Sequence, residues 1–419
     1  MRLEPREQGL LDGREGPAMQ LAMRLVAQAA RIMGARELVP VSFAHLDSCF
    51  YAGEAHVDFA RFLSTHKARF AVPTWTNNGV VSLAQADLRP ESEDPEMVRG
   101  ARELMEIYAG LGCKPVFTCA PYQLPGGPKR GDHIVVGESN AVSYYNAAVG
   151  ARTNKYGAYL DVACALVGKA PHAGLHLDAG RHGEILFRAE GLPEAFRAEN
   201  IFGHLLGHHI GKRTGHHVPV ITGLVPQTSA DTLKAISAAA ASSGAVEMWH
   251  GVSVTPEAPD EEAALGGKAP RAEHVLGMED MRAALAELSP AGDGVVDLIA
   301  LGTPHFSPSE FRALEAALDG RRIRIPVQVT TSRFVREHVA DVAARLEALG
   351  VEIVVDTCTY YSPRVRGVKG RVMTNAAKWA WYAPGMLGIE AVFGSLKECA
   401  ETAARGQVWR DGSLWEKLT

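Results

Sequence analysis

The chain has 419 residues, of which 47% are hydrophobic, and a formal net charge of −5 at pH 7. A chain of this length buries a large core and is expected to form two or three lobes. The small acidic charge, without runs of like charge, argues against nucleic acid or an anionic membrane surface as a partner. No apolar stretch approaches the roughly 20 residues that a membrane span requires, and the charged N-terminus lacks a signal-peptide pattern, so we expect a cytoplasmic enzyme.

Three segments of the chain repeat one pattern: an amphipathic helix, a glycine and an apolar strand that leads to a cysteine. The predicted helices, recognised by their apolar spacing, are residues 17–33, 95–111 and 336–349. The glycines that end them are Gly34, Gly112 and Gly350. The strands that follow are predicted at residues 37–49, 113–119 and 351–358. This alternation of helices and strands favours an α/β fold with parallel sheets.

The cysteines at the ends of these strands, Cys49, Cys119 and Cys358, are candidates for one metal site. In open α/β sheets, ligands bind beyond the carboxyl ends of the strands, and three thiols placed there can meet. The sequence has no Cys-x-x-Cys pair, which argues against a structural zinc site. Three thiolates suit an iron–sulfur centre with an open, Lewis-acidic iron. The alternative is that all three thiols are buried and inert.

A polar segment at residues 137–157, "GESNAVSYYNAAVGARTNKYG", follows the apolar stretch "HIVVG". A strand that feeds a helix through Gly-Glu-Ser-Asn presents free backbone N–H groups, which is typical of an anion site. Arg152 can bind a substrate carboxylate through two parallel hydrogen bonds. The alternative is that Ser139 and Asn140 only cap the helix and Arg152 faces solvent. The candidate residues of this segment are Glu138, Ser139, Asn140, Arg152, Thr153 and Lys155.

A histidine-rich segment, "GHLLGHHIGKRTGHH", occupies residues 203–217. His204 and His208 stand four residues apart and can share a helix face, as metal ligands do. However, the glutamate of the metalloprotease pattern is missing between them. The glycines at every fourth position, Gly203, Gly207 and Gly211, indicate close helix packing instead. A metal-dependent hydrolase built on His204, His208 and His216 remains an alternative function.

Two further features concern the second half of the chain. A buried strand is predicted at residues 295–301, followed by a Gly-Thr-Pro-His turn and a helix from about residue 307. The segment 255–274, rich in Pro, Gly, Ala and acidic residues, is the predicted linker between lobes. We therefore divide the chain into the first α/β lobes, residues 1–255, and a linker with a C-terminal α/β lobe, residues 256–419.

Five motifs together resemble the aconitase X family, the divergent branch of the aconitase superfamily, and they occur in the expected order over about residues 1 to 400. The motifs are "TCAPYQ", "GESNAVSYYNAAVGARTNKYG", "LGTPHFSPSEF", "DTCTYY" and "MTNAAKWAWYAPG". The resemblance implies an α/β, aconitase-like fold of three-layer α/β/α lobes with the site at strand C-terminal ends. It also implies a hydro-lyase with an iron–sulfur cluster, acting on cis-3-hydroxy-L-proline or on mevalonate 5-phosphate.

The resemblance also suggests roles for individual residues. The sequence "HLDSCFY", with Cys49, is similar to the hydroxyproline branch, which favours cis-3-hydroxy-L-proline as substrate. The implied cluster ligands are Cys49, Cys119 and Cys358. The candidate catalytic residues are Glu138, Ser139 and Lys155. The candidate substrate-binding residues are Asn140, Arg152, Thr153, His305 and Lys378.

Members of this family combine the large part with a small swivelling domain, either fused or supplied as a separate chain. We find no segment that resembles it in this sequence, so we expect a small partner subunit that carries a catalytic serine. The mevalonate 5-phosphate dehydratase large subunit remains an alternative identity. A non-catalytic iron-binding scaffold of the same fold is a further alternative, although a scaffold has no need of the polar segment at residues 137–157.

Overall fold

The computed structural model describes residues 1–89, 92–290 and 292–416. Its strands form three parallel sheets and one antiparallel pair, and each parallel sheet is the centre of one lobe. None of the helices in this described part is long and apolar enough to cross a membrane.

The first lobe is built on a parallel sheet of order β3-β2-β4, and beside it β1 and β5 form the antiparallel pair. Its strands are β1 (Leu38–Pro40), β2 (Phe43–Leu46), β3 (Thr74–Thr76), β4 (Ile134–Val136) and β5 (Lys169–Pro171). Its helices are α1 (Pro5–Leu11), α2 (Pro17–Ile32), α3 (Glu54–Thr65), α4 (Pro95–Gly110), α5 (Ser139–Tyr144) and α6 (Leu160–Val167), and a π-helical turn, Tyr145–Val149, extends α5. Short 3-10 turns lie at Ala86–Leu88, Pro121–Gln123, Gly174–His176 and Asp178–Gly180.

The second lobe has a parallel sheet of order β8-β7-β6-β9. Its strands are β6 (Ile185–Arg188), β7 (Pro219–Thr222), β8 (His250–Gly251) and β9 (Ala272–Val275). Its helices are α7 (Glu194–Arg197), α8 (Asn200–Thr214), α9 (Ala230–Gly244), α10 (Glu261–Ala264) and α11 (Met278–Leu288). Strand β9 begins within the segment 255–274, ends one residue beyond it and pairs with β6. This sheet therefore takes strands from both sides of residue 255.

The third lobe has a parallel sheet of order β12-β11-β10-β13-β14. Its strands are β10 (Leu298–Leu301), β11 (Val327–Thr331), β12 (Glu352–Val355), β13 (Arg371–Thr374) and β14 (Glu390–Phe393). Its helices are α12 (Pro308–Leu318), α13 (Arg333–His338), α14 (Ala340–Ala348), α15 (Pro363–Arg366), α16 (Ala377–Leu387), α17 (Leu396–Arg405) and α18 (Gly412–Glu416).

Each parallel sheet is buried on both faces, because neighbouring residues of a strand enter different hydrophobic cores. In β10, Leu298 packs into one core and Ile299 into another. In β2, Phe43 and Ala44 likewise pack into two different cores. Side chains of successive strand residues point to opposite faces, so two-sided burial requires helices on both faces. The predicted α/β class with three-layer α/β/α lobes is confirmed.

The strand order reverses in each of the three parallel sheets, and the reversals in the first and third lobes bear on the site. In the first lobe the chain runs from β2 to β3 on one side and later adds β4 on the other side of β2. In the third lobe it runs from β10 through β11 to β12, and later places β13 on the other side of β10. Loops diverge where the strand order reverses, and the space beyond the carboxyl ends there is open to ligands.

Most of the predicted elements that flank the cysteines are confirmed, and two strands are corrected. The segment 37–49 is not one strand: β1 and β2 belong to different sheets, and β2 ends before Cys49. The segment 113–119 makes only a single bridge, between Lys114 and Trp75. Pro115 lacks a backbone N–H and Phe117 has a φ of 42°, which together prevent a continuous ladder. Cys119 therefore lies in a loop.

The glycines of the histidine-rich segment bring α8 close to α9, as their spacing predicted. A Cβ at Gly207 would lie 2.5 Å from the Ile236 carbonyl oxygen, and one at Gly211 would lie 2.7 Å from that of Ala240. Real Cβ atoms do not approach a carbonyl oxygen this closely. The spacing of the two helices thus depends on the absence of side chains along this face of α8.

We expect Gly207→Ala to destabilise the second lobe, because the added methyl group forces α8 and α9 apart. Overpacking of this kind costs about 1–3 kcal/mol. The matched control is Gly110→Ala in α4, where a Cβ meets no atom within 4 Å. Thermal and urea denaturation of both variants is the measurement. A Gly207→Ala protein as stable as the Gly110→Ala protein would contradict the packing argument.

Candidate functional site

A cavity of about 240 Å³ lies where the carboxyl ends of the first and third sheets face each other. The first lobe contributes residues that follow three strands: Asp47 after β2, Asn77 and Asn78 after β3, and Gly137, Glu138 and Ser139 after β4. The third lobe contributes Thr303 after β10, Cys358 after β12 and Lys378 after β13. The cavity is therefore made by strand-end loops, as the sequence predicted.

A buried ion pair crosses the cavity from one lobe to the other. The Lys378 ammonium lies 2.7 Å from Glu138 Oε1, and the two side chains are only 10% and 14% exposed. The Asn140 amide donates to the same oxygen at 2.7 Å. A carboxylate with this many donors is fixed in one orientation and stays ionised.

A second carboxylate, Asp47, shares a partner with Glu138. The Asn77 amide lies 2.6 Å from Asp47 Oδ1 and 3.2 Å from Glu138 Oε2. Asp47 comes this close to β4 because the neighbouring residue is Gly137, where a Cβ would lie 2.6 Å from the Asp47 Cβ. The cavity thus presents two carboxyl groups, joined through one amide, beside Lys378.

The two carboxyl groups have opposite pKa shifts. Burial alone would raise the pKa of Glu138, but the Lys378 charge and the Asn140 and Asn77 amides outweigh it and lower the pKa to about 2. Burial raises the pKa of Asp47, and the neighbouring Glu138 charge raises it further. Two carboxyl groups whose surroundings separate their pKa values are typical of sites that move protons.

A third buried carboxyl group, Asp161 at the start of α6, accepts hydrogen bonds from the loop that carries Asp47. One of its oxygens accepts the backbone N–H groups of Asp47 and Ser48, at 2.8 and 3.0 Å. The other accepts the Ser48 hydroxyl. Burial raises the pKa of Asp161 to about 7. This side chain faces away from the cavity, so we assign it the support of the loop.

Two of the three predicted thiols line the cavity, those of Cys119 and Cys358. Burial raises the pKa of each to about 12, and Lys378 acts against this rise at both sulfur atoms. The Cys119 sulfur accepts a hydrogen bond from the His305 backbone N–H at 3.3 Å. Thiols with a nearby cation and a backbone donor are suited to bind a metal as thiolates, with release of their protons.

Cys49 is not brought to the same cavity. Its thiol donates to the backbone oxygens of Asn77 and Leu46, at 3.2 and 3.4 Å, and packs in the hydrophobic core of the first lobe. Cys49 lies directly behind Asp47 and Asn77, which do line the cavity. In the described residues no group of three or more Cys, His, Asp or Glu side chains is arranged to hold a metal ion.

The cavity therefore offers two cysteine ligands to an iron–sulfur cluster. Cys119 and Cys358 supply soft thiolate ligands, and the carboxyl groups of Asp47 and Glu138 supply oxygen atoms in the same cavity. For Cys49 to serve as a third ligand, its thiol would have to turn away from the two carbonyl groups it now contacts.

The remaining wall is aromatic, with one free cation. Phe50, Tyr360, Tyr361 and Tyr382 line the cavity, and the Phe50 and Tyr361 rings meet edge to face at 4.8 Å. Such rings exclude water from the space that they surround. Lys155 also lines the cavity, and the ion pairs of the described residues leave its ammonium group without a carboxylate.

Four of the predicted substrate-binding residues lie outside the lining of the cavity. The Arg152 guanidinium pairs with Asp178 at 2.5 Å and donates to the His176 carbonyl, so it is not the carboxylate clamp we expected. Thr153 is buried and bonded to the Asn154 carbonyl. The Asn140 amide donates a hydrogen bond to the Glu138 carboxylate. The fourth is His305, whose ring is buried behind the thiols.

Sequence reasoning missed several lining residues. Asp47 lies in the predicted strand-end motif "HLDSC", where its sequence context favours turn capping over a catalytic role. Asn77 follows a three-residue strand, β3, too short to give a periodic signal. The paired asparagines at residues 77 and 78, directly before a glycine, were the available hint that a strand ends there.

The histidine-rich segment does not form a metal site among the described residues. His204 is buried and accepts the Ala377 backbone N–H at 3.4 Å, while His208 pairs with Glu287 at 3.0 Å. Burial lowers the pKa of His204 to about 3, which keeps it a neutral acceptor. His216 lines a different cavity, between the first and second lobes. These histidines have separate partners, which argues against the hydrolase alternative.

The chain was compared with known proteins. Models of the aconitase X first, second and third domains match residues 1–179, 183–286 and 296–405. The chain is 41% identical to a cis-3-hydroxy-L-proline dehydratase of Pseudomonas aeruginosa, over 97% of this chain and 70% of that protein. It is 36% identical to a dehydratase of the same name from Hypocrea jecorina, over 96% and 69%.

More distant relatives carry a second name. The chain is 30% identical to the phosphomevalonate dehydratase large subunit of Methanosarcina mazei, over 98% of this chain and 99% of that protein. Among solved structures, the holo-form of Thermococcus kodakaraensis aconitase X matches with a TM-score of 0.85 at 28% identity, over 96% of this chain and 100% of that one. The resemblance found in the motifs is confirmed.

We expect Lys378→Met to destabilise the protein strongly, because it leaves the Glu138 carboxylate buried without its cation. Removing one partner of a buried pair costs about 3–5 kcal/mol. Adding Glu138→Gln should recover much of that loss, since both charges are then gone. Lys155→Met, in the same cavity but without an ion pair, is the control and should change stability by less than about 0.5 kcal/mol. Additive effects of Lys378→Met and Glu138→Gln in denaturation experiments would contradict this coupling.

Proposed function

The chain belongs to the aconitase X family, and from that premise we propose that it is a hydro-lyase that dehydrates cis-3-hydroxy-L-proline. One observation carries the proposal: a single cavity joins two thiols, two buried carboxylates and one unpaired lysine at the switch points of two sheets. Elimination of water from a β-hydroxy acid needs positive charge at the carboxylate, a group that takes the α proton and assistance to the departing hydroxyl.

Lys155 is the proposed partner of the substrate carboxylate. Its ammonium lines the cavity without a carboxylate partner, whereas Arg152 is occupied by Asp178. Removal of the α proton places negative charge on the carboxylate, and a nearby cation stabilises that charge. Lys155 is fixed at its backbone, where its N–H donates to Glu247 at 3.1 Å, so only the side chain is free to follow the substrate.

The carboxylate pair is the proposed partner of the ring nitrogen. A hydroxyproline carries a secondary ammonium group, and Asp47 and Glu138 offer oxygen atoms in the cavity that Lys155 also lines. The Ser139 hydroxyl lies 3.4 Å from Glu138 Oε1 and lines the same cavity. We assign Ser139 and Glu138 a catalytic role here, in which the ionised Glu138 accepts the Ser139 hydroxyl and orients it. Lys378 and Asn140 keep Glu138 in place.

Cys119 and Cys358 are the proposed ligands of an iron–sulfur cluster, and Cys49 as a third ligand stays a prediction. Such a cluster, when bound, supplies a Lewis-acidic iron that stabilises the departing hydroxide. Phe50 and the cavity tyrosines exclude bulk water from the same space, which strengthens the electrostatic contacts made there.

The charges in the cavity favour the smaller substrate, and a cavity of about 240 Å³ has room for a five-membered ring with its substituents. A phosphate ester needs additional cations or a cluster of backbone donors. Of the lysines that line the cavity, Lys378 is already paired with Glu138, which leaves Lys155 for a carboxylate. The alternative, a mevalonate 5-phosphate dehydratase large subunit, is supported by the nearly complete coverage of the Methanosarcina relative.

A small swivelling domain or subunit is the proposed partner. The Methanosarcina relative is named a large subunit, which implies a small subunit for that protein, and the two hydroxyproline relatives extend beyond the matched region. The exposed Met386 at the rim of the cavity gives such a partner an apolar surface to contact. A cytoplasmic location likewise stays part of the proposal.

We expect the reconstituted protein, with its small partner, to convert cis-3-hydroxy-L-proline to the cyclic imine. The assay is run anaerobically beside mevalonate 5-phosphate. Lys155→Met should lower kcat/KM on hydroxyproline by about 10-fold or more, as expected for loss of a charged contact worth 1.5–3 kcal/mol. Turnover of the phosphate ester alone would replace the substrate assignment, and no turnover of either compound would favour the scaffold alternative.

Cys358→Ser should strongly reduce the iron and sulfide content of anaerobically reconstituted protein, because it removes one of two thiolates that line the cavity. Cys399→Ser is the matched control, since Cys399 is also buried but lies in α17, within the core of the third lobe. Its iron content should equal that of the unaltered chain. Equal iron and sulfide in both variants would remove the proposed cluster from this cavity.

A further inference from the structure

The His305 imidazole lies behind the cavity, between the two loops that carry its thiols. Nδ1 is 3.0 Å from the Thr118 hydroxyl oxygen, and Nε2 is 3.0 Å from the Thr357 carbonyl oxygen. Thr118 directly precedes Cys119, and Thr357 directly precedes Cys358. All three contacting residues are fully buried or within 1% of it. One ring thus spans from the first lobe to the third, one residue away from each thiol.

The partners of the ring determine its tautomer. The Thr357 carbonyl can only accept, so Nε2 carries the proton and donates it there. Nδ1 then accepts from the Thr118 hydroxyl, whose oxygen in turn accepts the Ala120 backbone N–H at 3.1 Å. Each polar group in this chain of hydrogen bonds has one defined role, and the neutral imidazole satisfies both ends.

The backbone of His305 is tied to the same loop as its ring. Its N–H donates to the Cys119 sulfur at 3.3 Å, and its carbonyl accepts from the Gln123 amide at 3.0 Å. On the other side of the loop, the buried His45 ring contacts the Thr118 carbonyl at 2.9 Å. The segment that positions Cys119 is therefore held between two imidazoles, from β2 and from the loop after β10.

We propose that His305 is a positioning residue that sets the separation of the Cys119 and Cys358 thiols and makes no contact with substrate. This inference rests on the proposed function, in which those thiols are metal ligands. The two loops belong to different lobes, and the ring connects them through an acceptor at one end and a donor at the other. Groups that orient metal ligands in this way tune affinity without touching the metal.

Rigidity explains why a histidine occupies this position. An imidazole holds Nδ1 and Nε2 in one plane with fixed spacing, so both hydrogen bonds constrain the loops at once. Asparagine can reproduce an acceptor near the Nδ1 position, and glutamine a donor near the Nε2 position, but neither amide can occupy both. His305→Asn and His305→Gln therefore each keep one end of the connection and lose the other.

The test measures the thiol pair itself, in the full chain freed of iron and kept reduced. Titration with Cd²⁺ produces a thiolate charge-transfer absorption, which Cys119→Ser and Cys358→Ser assign to the two cavity thiols. We expect His305→Asn and His305→Gln to weaken Cd²⁺ affinity by about 10- to 100-fold, the usual effect of losing an outer partner of a ligand. Thr118→Val removes the hydroxyl end without altering the histidine and should give a similar loss.

His250→Asn is the matched control. His250 is also buried, and its Nε2 contacts a backbone carbonyl, that of Arg181, at 2.7 Å, but it lies in β8 of the second lobe. It should lower the unfolding midpoint without changing Cd²⁺ affinity. His305 and Thr118 variants that bind Cd²⁺ as tightly as the unaltered chain would overturn the positioning role alone. An unaltered chain without the two-thiolate absorption would overturn both this role and the proposed metal site.

Discussion

The contact between Lys378 and Glu138 is the constraint on which the cavity depends. It is a buried ion pair between residues 240 positions apart, one at the start of α16 in the third lobe and one at the start of α5 in the first. Taking both charges out of water is costly, and their attraction offsets that cost only if the two lobes keep their relative position. The pair therefore couples the geometry of the site to the docking of the lobes.

Other buried polar groups hold the strand-end loops in place around this pair. Asp356 accepts the backbone N–H groups of Leu83 and Ala84 and the Arg333 guanidinium, which joins the first lobe to the third. Asp161 holds the loop of Asp47. Since an unsatisfied buried group is costly, each network stabilises a single arrangement of its loop. The loops that form the site are thus fixed by hydrogen bonds from their backbone N–H groups to the buried carboxyl groups of Asp356 and Asp161.

The chemistry of the cavity follows from the separation of its charges. The third lobe contributes the Cys358 thiol and Lys378. The first lobe contributes the Cys119 thiol and the carboxyl groups of Asp47 and Glu138. Lys378 contacts Glu138 and also acts against the rise in the pKa values of both thiols. Lys378 therefore acts electrostatically on the carboxylate and on both thiols. A zwitterionic hydroxy acid suits a cavity that presents two carboxyl groups together with Lys155, which has no ion pair among the described residues.

Local patterns in the sequence determined the class of fold, the helices α2, α4 and α12, and the place of Glu138 and Ser139 at a strand-to-helix junction. These depend on periodicity and capping over a few residues, which the chain carries without reference to distant partners. Tertiary structure decided which side chains face the cavity. Arg152 forms an ion pair with Asp178, 26 residues later in the sequence. Lys155 therefore replaces Arg152 as the proposed cation for the substrate carboxylate. Cys49 turns to two backbone carbonyls, while Cys119 faces the cavity from a loop. The direction of a side chain depends on partners far away in the sequence, and spacing along the chain does not contain that information.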